Sequence, residues 1–159
     1  MLKYVFWAWL LPVGLALLVL AVACGSDPEN DGESGAGSIA GASSRVVVEG
    51  GAYSQIEPQT LEAMLQNKDF LLVNVHVPYE GEIEGTDLFI PYDQIAERIS
   101  ELPSNVASRI VLYCRSGRMS AIAAETLVNE GYTNVWDLHG GMIAWQDAGY
   151  TVLEAGQPQ

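Results

Sequence analysis

Short apolar runs that alternate with helix-length amphipathic segments constrain the fold of this 159-residue chain more than any other feature of its sequence. The runs at 69–77, 109–114 and 133–138 have the length, and mostly the β-branched or aromatic content, of buried strands. The segments with a helical pattern are 57–67, 92–102, about 117–130 and 140–149. Strands that alternate with helices favour parallel pairing, because each connection has to return across the sheet. The sequence therefore predicts a three-layer α/β domain with a central, mostly parallel sheet.

The third helical segment indicates which of its faces packs on that sheet. Ala121, Ala124, Leu127 and Val128 recur at helical spacing within it. Gly131 follows the segment and suits a left-handed helix cap. These four apolar side chains are predicted to face the sheet.

Cys114 stands where such a sheet places its ligands. Parallel sheets bind ligands beyond the carboxyl ends of their strands, and Cys114 ends the run at 109–114 just before the third helical segment. Backbone N–H groups at a helix N-terminus favour an anion, as do the nearby Arg115 and Arg118. Gly117 permits a tight loop conformation between them. The sequence "CRSGRMS" therefore predicts a nucleophilic thiolate at Cys114, in a loop that also suits an oxyanion.

Several separated segments carry a resemblance to a known family. The stretches "LLVNVHVPYEGEI", "CRSGRMS" and "LHGGMIAW" occur in this order, and together they resemble the rhodanese domain of sulfurtransferases over about Tyr53 to Val152. The resemblance implies that Cys114 accepts a sulfane sulfur as a persulfide and passes it to a thiol or to cyanide, without a metal or an organic cofactor. It also implies a binding loop for the persulfide and an anionic donor such as thiosulfate, formed by Arg115, Ser116, Gly117, Arg118, Met119 and Ser120.

The sequence departs from that family at three positions. Met119 stands where many members have an arginine, which predicts weaker affinity for the doubly charged thiosulfate. Asn74 and His76 stand where the family often has an aspartate and an arginine. We expect a hydrogen bond in this pair to hold the fold, and we expect His76 and His139 to be structural.

Other chemistries fit the same residues less well. Phosphatases with a related loop need an arginine six positions after the cysteine, where this chain has Ser120. A papain-like protease lacks any supporting context, and two histidines with one available cysteine form no recognisable metal-ligand cluster. The alternative that stays open is a rhodanese-like binding module without catalysis, tethered to a membrane.

The N-terminal segment 1–24 predicts export. Residues 5–23 are almost wholly apolar and follow a lone Lys3, and small residues before Cys24 resemble the lipobox of bacterial lipoproteins, which implies acylation of Cys24. An uncleaved membrane anchor is the alternative. Either one places the folded domain on the extracytoplasmic side, anchored to the membrane. Since Cys24 is then engaged in the membrane, Cys114 is expected to be a free thiol.

Composition sets the remaining organisation and partners. Residues 25–45 are rich in glycine, serine and acidic residues and predict a flexible linker, which leaves 46–159 as the domain. The formal net charge of −13 makes nucleic acid a poor partner. The expected partners are a small-molecule sulfur donor, a thiol or cyanide acceptor, and the membrane. A thiol of a partner protein is an alternative acceptor.

Overall fold

The computed structural model describes residues 43–154 of the chain. The predicted signal or anchor over 1–24, the lipidation site at Cys24 and most of the predicted linker over 25–45 lie outside the described residues. The first strand starts at Ser43 and includes the last residues of that linker.

The described residues form eight strands and three α-helices. In chain order the strands are β1 Ser43–Val48, β2 Gly51–Ile56, β3 Leu71–Asn74, β4 Glu82–Ile83, β5 Leu88–Phe89, β6 Ile110–Tyr113, β7 Val135–Leu138 and β8 Val152–Leu153. The helices are α1 Pro58–Leu65, α2 Arg118–Asn129 and α3 Gly141–Asp147, and two short 3-10 turns lie at Tyr92–Gln94 and Ile99–Glu101.

Six of the strands build the central sheet in the spatial order β1-β2-β7-β6-β3-β5. Strand β1 pairs antiparallel with β2, and every other neighbouring pair in this sheet is parallel. Strands β4 and β8 form a separate antiparallel ribbon. The predicted mostly parallel α/β architecture is confirmed. Neither β1 nor β2 was predicted, because their short, mixed sequences lack a clear apolar run.

Alternate residues of β6 feed two hydrophobic cores, one on each face of the sheet. Ile110 and Leu112 pack in one core with Leu127 of α2, whereas Val111 and Tyr113 pack in the other core. Successive side chains of a strand point to opposite faces, so one fully buried strand supplies both layers. The three-layer arrangement follows from this alternation.

The predicted helix over 92–102 is wrong as an α-helix. The segment instead makes two 3-10 turns, in which the N–H of Gln94 bonds to the carbonyl of Pro91 and the N–H of Glu101 bonds to that of Arg98. The apolar residues at helical spacing do reach the core. These side chains can be buried without a continuous series of α-helical hydrogen bonds. Their spacing therefore predicted an α-helix where the backbone makes only short turns.

The buried face of α2 also differs from the predicted stripe. Ala124, Leu127 and Val128 are buried as expected, but Ala123 takes the central position and Ala121 is partly exposed. Ser120 also lies on the buried face, because its hydroxyl bonds within the Cys114 loop. Since serine is polar, the sequence pattern did not include it, and the start of the buried face was predicted one residue out of position.

Among residues 43–154, no helix combines the length and the hydropathy that crossing a membrane requires.

Two substitutions on α2 test this packing. Leu127 is fully buried, so Leu127→Ala should lower the free energy of unfolding by about 2–5 kcal/mol through lost burial and a cavity. Ile122 on the same helix is 43% exposed, and Ile122→Ala should change it by less than about 1 kcal/mol. Urea unfolding followed by circular dichroism measures both, and equal losses would contradict the assigned face.

Candidate active site

The thiol of Cys114 lies at the carboxyl end of a central parallel strand. Cys114 directly follows β6, which is flanked by β3 and β7, and the N–H of Val75 bonds to the carbonyl of Tyr113 at 2.9 Å. Helix α2 begins at Arg118, four residues after the cysteine. The structure therefore has Cys114 in the strand-to-helix loop where its sequence position predicted it.

Two hydrogen-bond donors of the loop contact the sulfur. The backbone N–H of Gly117 lies 3.1 Å from Cys114 Sγ, and the hydroxyl of Ser120 lies 3.6 Å from it. This hydroxyl has one proton and a second acceptor within reach, the carbonyl of Gly117 at 3.2 Å, so the Gly117 N–H is the firmer of the two donors to the sulfur. The sulfur thus lies within reach of a backbone N–H and a hydroxyl, close to the residue at which α2 begins.

Gly117 is required in this loop by its conformation. Its φ of +86° lies in the left-handed region, and a side chain there would bring Cβ to 3.2 Å from the backbone nitrogen of Gly140. The loop after β6 and the loop after β7 therefore approach each other backbone to backbone, which only glycine allows without strain.

The first N–H groups of α3 hold the start of the Cys114 loop. The N–H of Met142 donates to the carbonyl of Cys114 and that of Ile143 to the carbonyl of Arg115, both at 2.9 Å. Gly141 has a φ of +59°, and a Cβ on it would lie 2.2 Å from the carbonyl oxygen of Cys114. The "GGM" sequence therefore fixes the backbone on which the thiol is mounted.

The sulfur of Cys114 is buried, whereas the charged side chains near it are exposed. Cys114 is 1% exposed, whereas Arg115, Ser116 and Arg118 are exposed. An incoming donor therefore meets the arginines before its sulfur reaches Sγ. Met119, at the position where many members of the family have an arginine, packs against the core.

Arg115 is engaged by a residue that the sequence did not single out. Its guanidinium Nη1 lies 3.0 Å from Oε2 of Glu80, and Nε2 of His76 lies 3.3 Å from the same oxygen. Glu80 belongs to the loop after β3, whose carboxyl end is adjacent to that of β6. Which residue of this loop contacts Arg115 depends on the strand order, and so the linear sequence does not single out Glu80.

Asn74 and His76 form a hydrogen bond, but through the backbone of His76. The backbone N–H of His76 donates to Oδ1 of Asn74 at 3.0 Å, and Nδ2 of Asn74 donates to the carbonyl of Gly81 at 2.9 Å. Asn74 thus ties the end of β3 to the loop that carries Glu80. His139 is exposed, and its backbone N–H donates to the carbonyl of Ile56 at 2.8 Å.

A buried carboxyl group lies on the far side of Ser120. Asp137 of β7 is fully buried and accepts a hydrogen bond of 3.0 Å from Nε2 of Gln55. Burial raises the pKa of Asp137 to about 6, although the Ser120 hydroxyl, Gln55 and His139 act in the opposite direction. Sequence reasoning missed Asp137 because nothing in the sequence shows that this acidic position of β7 faces inward.

Within residues 43–154, no three side chains of His, Cys, Asp or Glu converge as ligands of a metal ion.

The fold and the loop define a class: an α/β domain with one cysteine in a donor-lined loop after its central strand. The model of the rhodanese-like domain matches residues 57–148, and the chain belongs to that family. A sulfurtransferase of Allochromatium vinosum is 36% identical over 104 residues, which are 63% of this chain and 94% of that relative. A tRNA uridine(34) hydroxylase of Cytophaga hutchinsonii is 26% identical over 95 residues, 57% of this chain but 30% of that protein.

Solved structures agree with this assignment. The crystal structure of a rhodanese-related protein from Thermoplasma volcanium has a TM-score of 0.54 at 26% identity and covers 62% of this chain and 96% of its own. A rhodanese-like domain protein from Staphylococcus aureus has a TM-score of 0.54 at 27% identity, with 65% of this chain and 98% of its own covered. The chain is thus a rhodanese-like domain that has sulfurtransferase relatives.

Adding a methyl group at Gly141 should disrupt the loop. In Gly141→Ala the new Cβ collides with the carbonyl of Cys114, so we expect a loss of about 2 kcal/mol or more of folding free energy and an altered thiol reactivity. Gly131→Ala is the matched control, because Gly131 has a φ of +92° with open space around it. It should lower stability by about 1 kcal/mol and leave the reaction of Cys114 with a thiol reagent unchanged. Equal thiol kinetics in both variants would contradict the proposed contact.

The buried carboxyl group should make stability depend on pH. Because the pKa of Asp137 is raised in the folded state, its contribution is greatest below its ordinary value of 3.8 and is lost as pH rises to about 6. At pH 7 the carboxylate disfavours folding by about 3 kcal/mol as an upper limit. Asp137→Asn keeps an acceptor for Gln55, and it should be more stable than the wild type at about pH 7 but not at about pH 4.

Urea unfolding at the two pH values measures this difference. Asp69→Asn is the control, since the side chain of Asp69 is 69% exposed and should show no comparable pH-dependent gain. A pH-independent difference between Asp137→Asn and the wild type would refute the assignment.

Proposed function

We propose that this protein is a sulfurtransferase. It moves a sulfane sulfur from thiosulfate or a persulfide donor to a thiophilic acceptor, cyanide or a thiol, through a persulfide on Cys114. The observation that carries the proposal is the position of the Cys114 sulfur, 3.1 Å from the backbone nitrogen of Gly117 and 3.6 Å from the hydroxyl of Ser120. The sulfurtransferase relative from Allochromatium vinosum supports the same reaction class.

The first half-reaction loads the enzyme. The Cys114 thiolate attacks the outer sulfur of thiosulfate, a new S–S bond forms, and the bond to the sulfonate sulfur breaks. Sulfite leaves with the electron pair of that bond. The negative charge that remains on the outer sulfur of the persulfide is favoured by hydrogen-bond donors and by the nearby exposed Arg118.

The second half-reaction transfers the sulfur. The carbon of cyanide attacks the outer sulfur of the persulfide, thiocyanate forms, and the Cys114 thiolate leaves with the electron pair. A thiol acceptor reacts in the same way after it loses its proton, and it leaves as a persulfide. No general base is needed for an acceptor that is already an anion.

The cellular setting is part of the proposal. We place the domain outside the cytoplasm and tethered to the membrane through segment 1–24, with Cys24 as the acylated residue or the segment as an uncleaved anchor. Acceptors there include small thiols and a thiol of a partner protein.

Mass spectrometry of the full-length chain tests the reaction directly. Incubation with thiosulfate should add one sulfur atom to the peptide that contains Cys114, and cyanide should remove it with formation of thiocyanate. Cys114→Ser should lose the adduct and the activity but still fold, with a loss of about 1–2 kcal/mol of folding free energy because the site is buried. Cys24→Ser is the matched control, because it leaves Cys114 as the remaining thiol and should keep the transfer. If neither thiosulfate nor an organic persulfide loads Cys114 in the wild type, the protein is a non-catalytic binding module.

A further inference from the structure

The two loop arginines differ in how free their charges are. Arg115 forms an ion pair with Glu80 at 3.0 Å, with side-chain exposures of 57% and 40%. Among residues 43–154, Arg118 has no carboxylate within ion-pair distance. Only one of the two cations next to Cys114 is therefore available to an incoming anion without breaking an existing contact.

Glu80 contacts Arg115, and the loop that carries it is held at several points. Its Oε2 lies between Nη1 of Arg115 and Nε2 of His76, at 3.0 and 3.3 Å. The next residue, Gly81, has its carbonyl bound by Nδ2 of Asn74 at 2.9 Å. Further along the same loop, the N–H of Ile83 donates to the hydroxyl of the buried Tyr113 at 3.0 Å. The backbone that follows Glu80 is thus held by the sheet, and the partly exposed carboxylate contacts Arg115.

This placement changes the charge that a donor meets. The carboxylate of Glu80 offsets the charge of Arg115, and Met119 adds no charge where many members of the family have an arginine. The electrostatic attraction between a donor and the rim scales with the charge of the donor. A dianion therefore loses about twice as much attraction from this neutralisation as a monoanion does, and a donor without net charge loses almost none.

We propose that Glu80 is a specificity-determining residue that turns the site away from dianionic donors and toward sulfane-sulfur donors of low net charge, above all donors that carry a protonated amine. The amine contacts the Glu80 carboxylate while the sulfane sulfur approaches Cys114. This inference rests on the proposed sulfur transfer and names its donor class.

A series of three donors with the same reaction and different charges tests it. Thiosulfate is a dianion, methanethiosulfonate is a monoanion, and 2-aminoethanethiosulfonate has no net charge at neutral pH. In each, the Cys114 thiolate takes the outer sulfur, and sulfite or the corresponding sulfinate leaves with the electron pair. We measure kcat/KM for persulfide formation on the full-length chain with each donor.

Glu80→Gln should raise kcat/KM about tenfold for thiosulfate and about threefold for methanethiosulfonate. It should leave kcat/KM for 2-aminoethanethiosulfonate unchanged or lower. The gains should shrink in about 1 M salt, where the Debye length falls to about 3 Å. Glu101→Gln is the matched control: it removes an exposed glutamate from an ion pair with Arg98, outside the loop, and should alter none of the three values.

A second substitution tests whether the effect acts through Arg115. In an Arg115→Gln background, Glu80→Gln still removes the repulsion between the carboxylate and a dianion, but it frees no guanidinium to contact the donor, so its gain with thiosulfate should be smaller. An equal gain in both backgrounds overturns the role of the pair, and an equal effect of Glu80→Gln on all three donors overturns the inference as a whole. Absence of persulfide with every donor in the wild type instead overturns the proposed sulfur transfer.

Discussion

The hydrogen bond from the N–H of Met142 to the carbonyl of Cys114 is the contact on which the geometry of the site depends. It joins the loop after β6 to the helix after β7, so that the segments following two neighbouring parallel strands are bonded to each other. The contact needs Gly141 in a left-handed conformation, because any side chain there would occupy the position of the Cys114 carbonyl. With the backbone of Cys114 held from outside the loop, the sulfur remains within reach of the Gly117 N–H and the Ser120 hydroxyl.

The electrostatics of the site oppose those of the rest of the chain. The formal net charge is −13, and yet two arginines follow the thiol within four residues. The carboxylate of Glu80 offsets much of the positive charge of Arg115. Asp137 adds a second carboxyl group, which contacts the hydroxyl of Ser120. In the proposed reaction the anionic persulfide meets hydrogen-bond donors close to Sγ, whereas the arginine charges are exposed. Short-range donors are less sensitive to salt than exposed ion pairs are, which suits a protein whose surface is acidic.

The sequence predicted the parts of the fold whose signals are local. Buried strands such as β6 are continuous apolar runs, and α2 has a helical repeat with Gly131 after it, so each was recognisable. The sequence patterns gave wrong predictions where tertiary contacts determine the local structure. The spacing of Ile95, Ile99 and Leu102 indicates an α-helix, but the segment makes two 3-10 turns, since side-chain burial does not depend on regular backbone pairing. Ser120 was left out of the buried face because its hydroxyl finds its partners only in the folded loop.

The sequence by itself determined the family, the α/β class and the position of Cys114 between a strand and a helix, because these follow from residue order and local periodicity. The tertiary structure decided which groups surround the thiol. Glu80 comes 34 positions before Cys114, and Asp137 comes 23 positions after it. Both reach the site because parallel strands bring their carboxyl ends to one edge of the sheet, and strand order is a property of the packed core rather than of any one segment.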